Sequence, residues 1–205
     1  MKNLRISNLL LSALFILMAG FISCDDSDDN VVLSLSENEK ADLIFMREEE
    51  KLARDVYLYF SEKYDLNIFK NISSSEQTHM DAVLGIMEVY GVEDPASTEM
   101  GVFTNADLQQ LYNNLIAQGD ASLVAALTVG ATIEDVDILD LDNAIDATSK
   151  ADIIDVYEML ACGSRNHMRG FSSQLDVQGE TYTPQFITQE MYDDILNGGH
   201  ENCGR

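Results

Sequence analysis

Six side chains in this 205-residue chain have the types and spacing to hold metal ions. Glu50, the pair Glu76 and His79, the pair Glu134 and Asp137, and His167 each interrupt an apolar stripe. Read in steps of three and four, the first stripe runs Leu43, Met46, Glu50, Ala53, Tyr57, Phe60, Tyr64, and the second runs Ile72, Glu76, His79, Val83, Ile86, Tyr90. The third is Leu123, Leu127, Gly130, Glu134, Asp137, Leu141, Ala144, and the fourth is Tyr157, Leu160, Ser164, His167, Phe171. That spacing puts each set on one face of a helix, so the polar groups point where a core residue belongs.

Inward-facing carboxylates are costly. Burial penalises each ion by several kcal/mol, against a total domain stability of about 5–15 kcal/mol. Few of the ten Lys and Arg beyond residue 5 lie on these stripes, so the natural compensating partner is a cation. Two divalent ions would cancel the four charges of Glu50, Glu76, Glu134 and Asp137. Carboxylate oxygen together with imidazole suits iron, manganese or zinc; calcium prefers oxygen alone.

Each residue also has an ordinary reading. Glu76 could close a capping box with Ser73. The run Glu48-Glu49-Glu50 could be a solvated face on which only Glu50 keeps the inward phase. His167 alone could be a hydrogen-bonded core histidine. Their coincidence on four predicted helices is what points to metal.

Those helices follow from periodicity and capping. With only two prolines and recurrent three-to-four spacing, the chain reads as all-α. Ser36 with Glu39 predicts a first helix to about Tyr64. A second ends near Tyr90 before Gly91, capped by either Asn67 or Ser73. Thr104 with Asp107 predicts a shorter helix to about Gln118, Gly119-Asp120 leads into a third long helix to about Ala147, and Ser149 with Asp152 opens a fourth to about Leu175. A strand-like or irregular piece around residues 181–186 and a short helix over residues 188–196 complete the chain.

The first 23 residues read as an export signal. Lys2 and Arg5 precede the apolar stretch of residues 9–19, and Phe21-Ile22-Ser23-Cys24 resembles a bacterial lipobox, with Phe21 where Leu is usual. Cys24 would then carry lipid and anchor the protein at the cell envelope. Asp25-Asp26-Ser27-Asp28-Asp29-Asn30 begins an acidic tether over residues 24–35, similar to surface-export signals of some Bacteroidetes-type lipoproteins and equally a solvated spacer.

The formal charge is −24. Without Lys2 and Arg5, ten basic residues face 36 acidic ones, about −26. Such a charge argues against nucleic acid and anionic lipid surfaces as partners. Beyond Cys24, Cys162 and Cys203 remain, and an exported location permits a disulfide whose formation the sequence leaves open. No C-x-x-C pair exists, which excludes rubredoxin-type iron and thioredoxin-type redox sites. His200 and Cys203 form a further, weaker metal-ligand pattern in the Gly-rich tail, and Arg165 and Arg169 flanking His167 are expected to balance nearby acids.

Glu50-Lys51-Leu52-Ala53-Arg54-Asp55-Val56-Tyr57 is similar to the first-helix Glu-x-x-Ala-x-x-x-Tyr of rubrerythrin-type ferritin-like proteins. Glu76-x-x-His79 matches their second-helix motif, and Ser164 to Phe171 resembles their fourth-helix Glu-x-x-His-x-x-Arg-Phe, with Ser164 replacing the glutamate. More closely, residues 43–196 resemble the uncharacterised ferritin-like DUF2202 family. The resemblance is carried by residues 48–57, 75–80, 133–141, 164–171 and 182–186.

The resemblance implies a ferritin-like four-helix bundle over residues 36–178, with an extra short helix before the third long one and a C-terminal extension over residues 179–205. It implies a centre of two iron ions, or of manganese or zinc, that reacts with oxygen or peroxide as a ferroxidase or peroxide-reducing oxidoreductase. Glu76 and Glu134 would bridge or chelate, Glu50 and Asp137 would be terminal ligands, and His79 and His167 would each hold one ion. Asp137 would replace the carboxylate lost at Ser164. Tyr57 would hydrogen-bond a ligand, supply an electron, or simply fill the core. Self-association as a homodimer is open. The competing expectations are a non-catalytic envelope protein that captures metal and a structural module with a vestigial site.

Overall fold

The computed structural model describes residues 34–204. The expected export signal, the lipid-bearing Cys24 and all but the last two residues of the expected tether lie outside the described residues. Within them the chain forms six helices and no strand: α1 Glu37–Tyr64, α2 Asn67–Val89, α3 Ala106–Gly119, α4 Leu123–Ala147, α5 Ala151–Val177 and α6 Gln189–Asn197. No helix among these residues is long and apolar enough to cross a membrane.

Local chemistry sets most of the boundaries. The Ser36–Glu39 capping box forms at the start of α1, and Asp65 ends that helix in the left-handed region. Gly91, at φ +66°, turns the chain after α2. Ser122 caps α4 and Thr188 caps α6. Three expected caps are replaced. Helix α2 starts at Asn67 behind Leu66, which offers no side-chain bond, while the Ser73 hydroxyl donates to the Lys70 carbonyl. Glu76 is therefore in mid-helix, and its capping-box role disappears. Asn105 caps α3 instead of Thr104, whose amide goes to Glu48 and whose hydroxyl goes to the Pro95 carbonyl. Lys150 precedes α5 with no side-chain cap, and Asp152 accepts the Tyr90 hydroxyl.

Four long helices make the bundle. Helix α1 packs on α2, α4 on α5, α1 on α4 and α2 on α5. Two apolar clusters fill its ends. One contains Leu43, Met46, Val83, Met87, Leu141, Ile153, Tyr157 and Leu160. The other contains Val56, Tyr57, Phe60, Phe69, Leu127, Ile138 and Phe171. Helices α1 and α5 run from the first cluster to the second, α2 and α4 from the second to the first. Because α2 ends where α4 does not begin, residues 90–122 must carry the chain back along the bundle. The 14 residues of α3 cover about 21 Å of that distance.

The crossover is fastened by buried polar groups of α1. Glu48 accepts the amides of Thr104 and Asn105, capping the approach to α3. The buried Lys51 pairs with Asp55, donates to the Glu99 carbonyl and lies over the Phe103 ring. Asp55 also accepts the Gly101 amide, and Arg47 pairs with Asp94. The expected solvated face at residues 48–50 is thus corrected: all three are buried, Glu48 under the crossover, Glu49 beside Asp140 of α4, and Glu50 inside the bundle against His79.

Asp135 performs the same task for the C-terminal extension. Fully buried, it accepts the Tyr182 hydroxyl and the amides of Gln185, Phe186 and Ile187. These bonds hold residues 182–187 in an irregular path rather than a strand. The extension is then tied to α5 by a Cys162–Cys203 disulfide with Cα atoms 5.5 Å apart. Asp135→Ala would leave three amides without their acceptor; the expected result is a loss of about 3 kcal/mol of unfolding free energy, read by denaturant titration, with faster hydrogen exchange at residues 185–187.

Candidate metal centre

The polar layer lies between the two apolar clusters, at the level where each long helix passes from one to the other. Helix α1 supplies Glu50, α2 supplies Glu76 and His79 three residues apart, α4 supplies Glu134 and Asp137, and α5 supplies His167. All six are at least nine-tenths buried. Glu76 occupies the middle: its Oε2 lies 2.8 Å from Nδ1 of His79 and its Oε1 lies 2.8 Å from Nδ1 of His167. The two imidazoles stack at 5.5 Å between centroids. Glu50 Oε2 approaches His79 Nδ1 at 3.2 Å, and Glu134 Oε2 approaches His167 Nδ1 at 3.4 Å.

Two ligand triads result. Glu50, Glu76 and His79 offer one atom each within 4.8 Å of one another, as do Glu76, Glu134 and His167. Glu76 alone is common to both. Asp137, expected as a terminal ligand, stands in neither triad; its carboxylate accepts the Ser164 hydroxyl. The serine that replaces the expected fourth-helix glutamate therefore holds the carboxylate expected to compensate for it. His200 and Cys203 do not make a second site, since Cys203 is bonded to Cys162. Arg165 and Arg169 both pair with Glu201.

The donors fit a divalent cation by a direct test. Glu50 Oε1, Glu76 Oε1 and His167 Nδ1 are buried with no hydrogen-bond partner. The last two face each other at 2.8 Å as a charge pair without hydrogen-bond geometry. Buried polar atoms are nearly always satisfied, and three such potential donor atoms in one cavity, the imidazole nitrogen once deprotonated, are what a metal ion would fill. Two carboxylate oxygens and one imidazole per triad match the preferences of iron, manganese or zinc.

Surrounding groups fix the orientation of these side chains. The Tyr57 hydroxyl donates to Glu134 Oε1, so this tyrosine is a satisfied core residue that also holds a ligand. Ser75 Oγ lies 3.0 Å from Nε2 of His167, which lets that nitrogen keep its proton while Nδ1 faces inward. Beneath His79 the backbone must be bare, since a Cβ at Gly163 would lie 2.5 Å from the ring. Sequence periodicity gave no access to Ser75, Gly163 or the Ser164–Asp137 bond, all of which depend on how α2, α4 and α5 rotate against one another. The available signals were the position of Ser75 beside Glu76, one helical turn from His79, and the inclusion of Ser75 and Ser164 in the stretches that carry the family resemblance.

In the metal-free protein the charges neutralise one another. Burial alone would lower the His167 value, but Glu76 and Glu134 hold it up at about 10. His79 is likewise raised by Glu50 and Glu76 against the effect of burial. Burial pushes Glu76 up, yet His167 and His79 keep it below the usual carboxylate range. Burial raises Glu50 to about 7 despite His79. It also carries Asp137 well above its ordinary value, with Glu50, Glu49 and Glu134 adding to the rise.

These directions set the pH response. A carboxyl raised from 4.5 to about 7 stabilises least once ionised, so Glu50 costs stability as pH climbs through that interval. The protonated His167 stabilises fully below 6.5, and its contribution is lost as pH rises through about 10. Both changes have the same sign. Metal-free protein is expected to lose thermal stability steadily between about pH 5 and about pH 9, with a saturating divalent cation restoring most at the upper end. A melting temperature that rose over that interval would contradict the assigned charges.

The family described as "uncharacterized protein domain (DUF2202)" matches residues 39–199. Over 168 residues the chain is 54% identical to the uncharacterized protein MJ0754 of Methanocaldococcus jannaschii, covering 82% of this chain and 91% of that relative. It also superposes on the crystal structure of hypothetical protein MJ0754 from Methanococcus jannaschii with a TM-score of 0.80 at 54% identity, covering 82% of this chain and 96% of the other. On the length of that match and the level of that identity, the chain belongs to the DUF2202 family.

Proposed function

We propose that this protein is a ferritin-like metal-binding lipoprotein whose buried centre holds two ions, iron ahead of manganese or zinc, and reacts with oxygen or peroxide. One observation carries the reading: the Glu76 carboxylate directs one oxygen to each of two imidazole nitrogens, at 2.8 Å in both cases. Four long helices with a single long crossover between the second and third are also the connectivity of ferritin-like bundles. Lipid on Cys24 would place the protein at the cell envelope.

An iron pair, if bound there, would supply electrons to oxygen or peroxide. The chain's own groups would do the rest. Glu76 would be shared by the two positions, with Glu50 and His79 completing one and Glu134 and His167 the other. Tyr57 and Ser75 hold Glu134 and His167 in place through hydrogen bonds. The Nδ1 protons of both imidazoles must leave when a cation enters, so uptake releases protons and strengthens as pH rises. The two apolar clusters exclude bulk water on either side.

The Ser164–Asp137 bond favours a second reading, capture of a cation without turnover, because it withdraws a carboxylate from the ligand count. Anaerobic loading with ferrous iron followed by exposure to oxygen separates the two. Rapid ferric absorbance supports the oxidoreductase; tight binding without oxidation supports capture. Glu76→Ala is expected to abolish binding of both ions, whereas Glu50→Ala should leave one, and Tyr57→Phe should weaken affinity about tenfold. Metal content unchanged by Glu76→Ala would remove the proposal.

A further inference from the structure

Reduction of the Cys162–Cys203 disulfide, we propose, opens the metal centre to exchange by releasing a C-terminal strap from its histidine edge. The inference rests on the metal reading above and assigns that centre a means of control. Residues 200–204 form one wall of a cleft of about 360 Å³ whose floor includes His79, His167 and Gly163. The strap contributes His200, Glu201, Asn202 and Cys203 to that wall. Both imidazoles, deep in the bundle otherwise, reach this cleft, which makes it the path by which a cation meets them.

The strap has one covalent and several non-covalent attachments. Glu201 pairs with Arg165 and Arg169, and Asn166 exchanges two hydrogen bonds with the Glu201 backbone. Arg165, through Nε and Nη2, and Arg169 clamp the Glu201 carboxylate and hold it at about 2, but these groups are up to a third exposed, so the clamp is open to screening by salt and can dissociate where a covalent link cannot. Gly198, Gly199 and Gly204 flank the segment and leave its backbone free to move once untied. The disulfide, bridging 41 positions in sequence, is what keeps the non-covalent contacts at high local concentration.

Both cysteines are partly exposed and open onto a second cleft lined by Asp155, Glu158 and Met159, so an external reductant can approach. A dithiol would break the Sγ–Sγ bond, giving up two electrons and two protons. Cys162 and Cys203 become thiols as the dithiol becomes a disulfide. Oxidised, the strap retains the ions; reduced, it lets them pass.

Two measurements on the full chain test this. In the first, protein loaded with zinc, which is redox-inert, is reduced with a dithiol, desalted and mixed with excess chelator. Extraction is expected to be at least about tenfold faster than from the oxidised protein, because the tether's effective concentration is gone. The Cys162→Ser, Cys203→Ser double variant should match the reduced protein at equal zinc content. In the second, hydrogen exchange is followed in metal-free protein at the Glu201 amide, which donates to Asn166 while the strap is docked. Its exchange should accelerate on reduction, while amides in the middle of α5 serve as an internal control. Equal extraction and equal exchange rates in both redox states would overturn the strap. If zinc never binds in either state, the metal reading fails instead, and the exchange rates still decide whether the strap is released. Chemical reduction of native protein keeps the test intact if the double variant misfolds.

Discussion

The bundle is organised around a carboxylate that cannot be left alone. Glu76 sits at mid-height in α2 with both oxygens buried, and it is tolerable there only because an imidazole faces each of them. Removing either histidine would strand a charge in a low-dielectric interior, where breaking a buried pair costs more than the pair contributes. The metal-free protein meets the requirement with protons on the imidazoles. A cation bound among these donors would meet it with its own charge.

That requirement propagates outwards. Glu134 and His167 are oriented by Tyr57 and Ser75, and His79 needs a bare backbone at Gly163. Beyond these, a second set of buried charges has nothing to do with metal. Glu48, Lys51 and Asp55 fasten the crossover, and Asp135 fastens the extension. Neighbours in sequence are thereby divided between tasks: Glu48 and Glu50 on α1, Glu134 and Asp135 on α4. An acidic protein can keep so many carboxylates inside because most accept backbone amides or pair with a cationic side chain.

The architecture and most of the site were legible in sequence for different reasons. Helix spans follow from three-to-four periodicity, which is local, and the stripes located Glu50, Glu76, His79, Glu134 and His167 because a polar group in an apolar face is conspicuous. Asp137 satisfied the same criterion and lies in the same layer, yet Ser164 claims it; a hydrogen bond across helices leaves no mark in the spacing of either. The acidic run at residues 48–50 misled for Glu48 and Glu49, because exposure was inferred from composition, whereas the crossover that covers Glu48 arrives some fifty residues later and α4, which brings Asp140 against Glu49, later still. Caps were misjudged by one position at α2 and α3, where Leu66 and Asn105 displaced the nearest hydroxyl or amide candidates. The disulfide depended on the return of the tail to α5, which no local pattern encodes.

The division of donors among the helices has a consequence for assembly. Glu50, Glu76 and His79 all belong to α1 and α2, a contiguous antiparallel hairpin closed by a two-residue turn. A cation in that position would take its donors only from the first half of the molecule and could stabilise it before the rest has docked. The other position draws Glu134 and His167 from the later hairpin and borrows Glu76 from the earlier one. An ion there would act as a staple between halves that the chain joins only through its long crossover. The two positions, alike in donor chemistry, would therefore differ in kind: occupancy of one reports a folded hairpin, occupancy of the other a completed bundle.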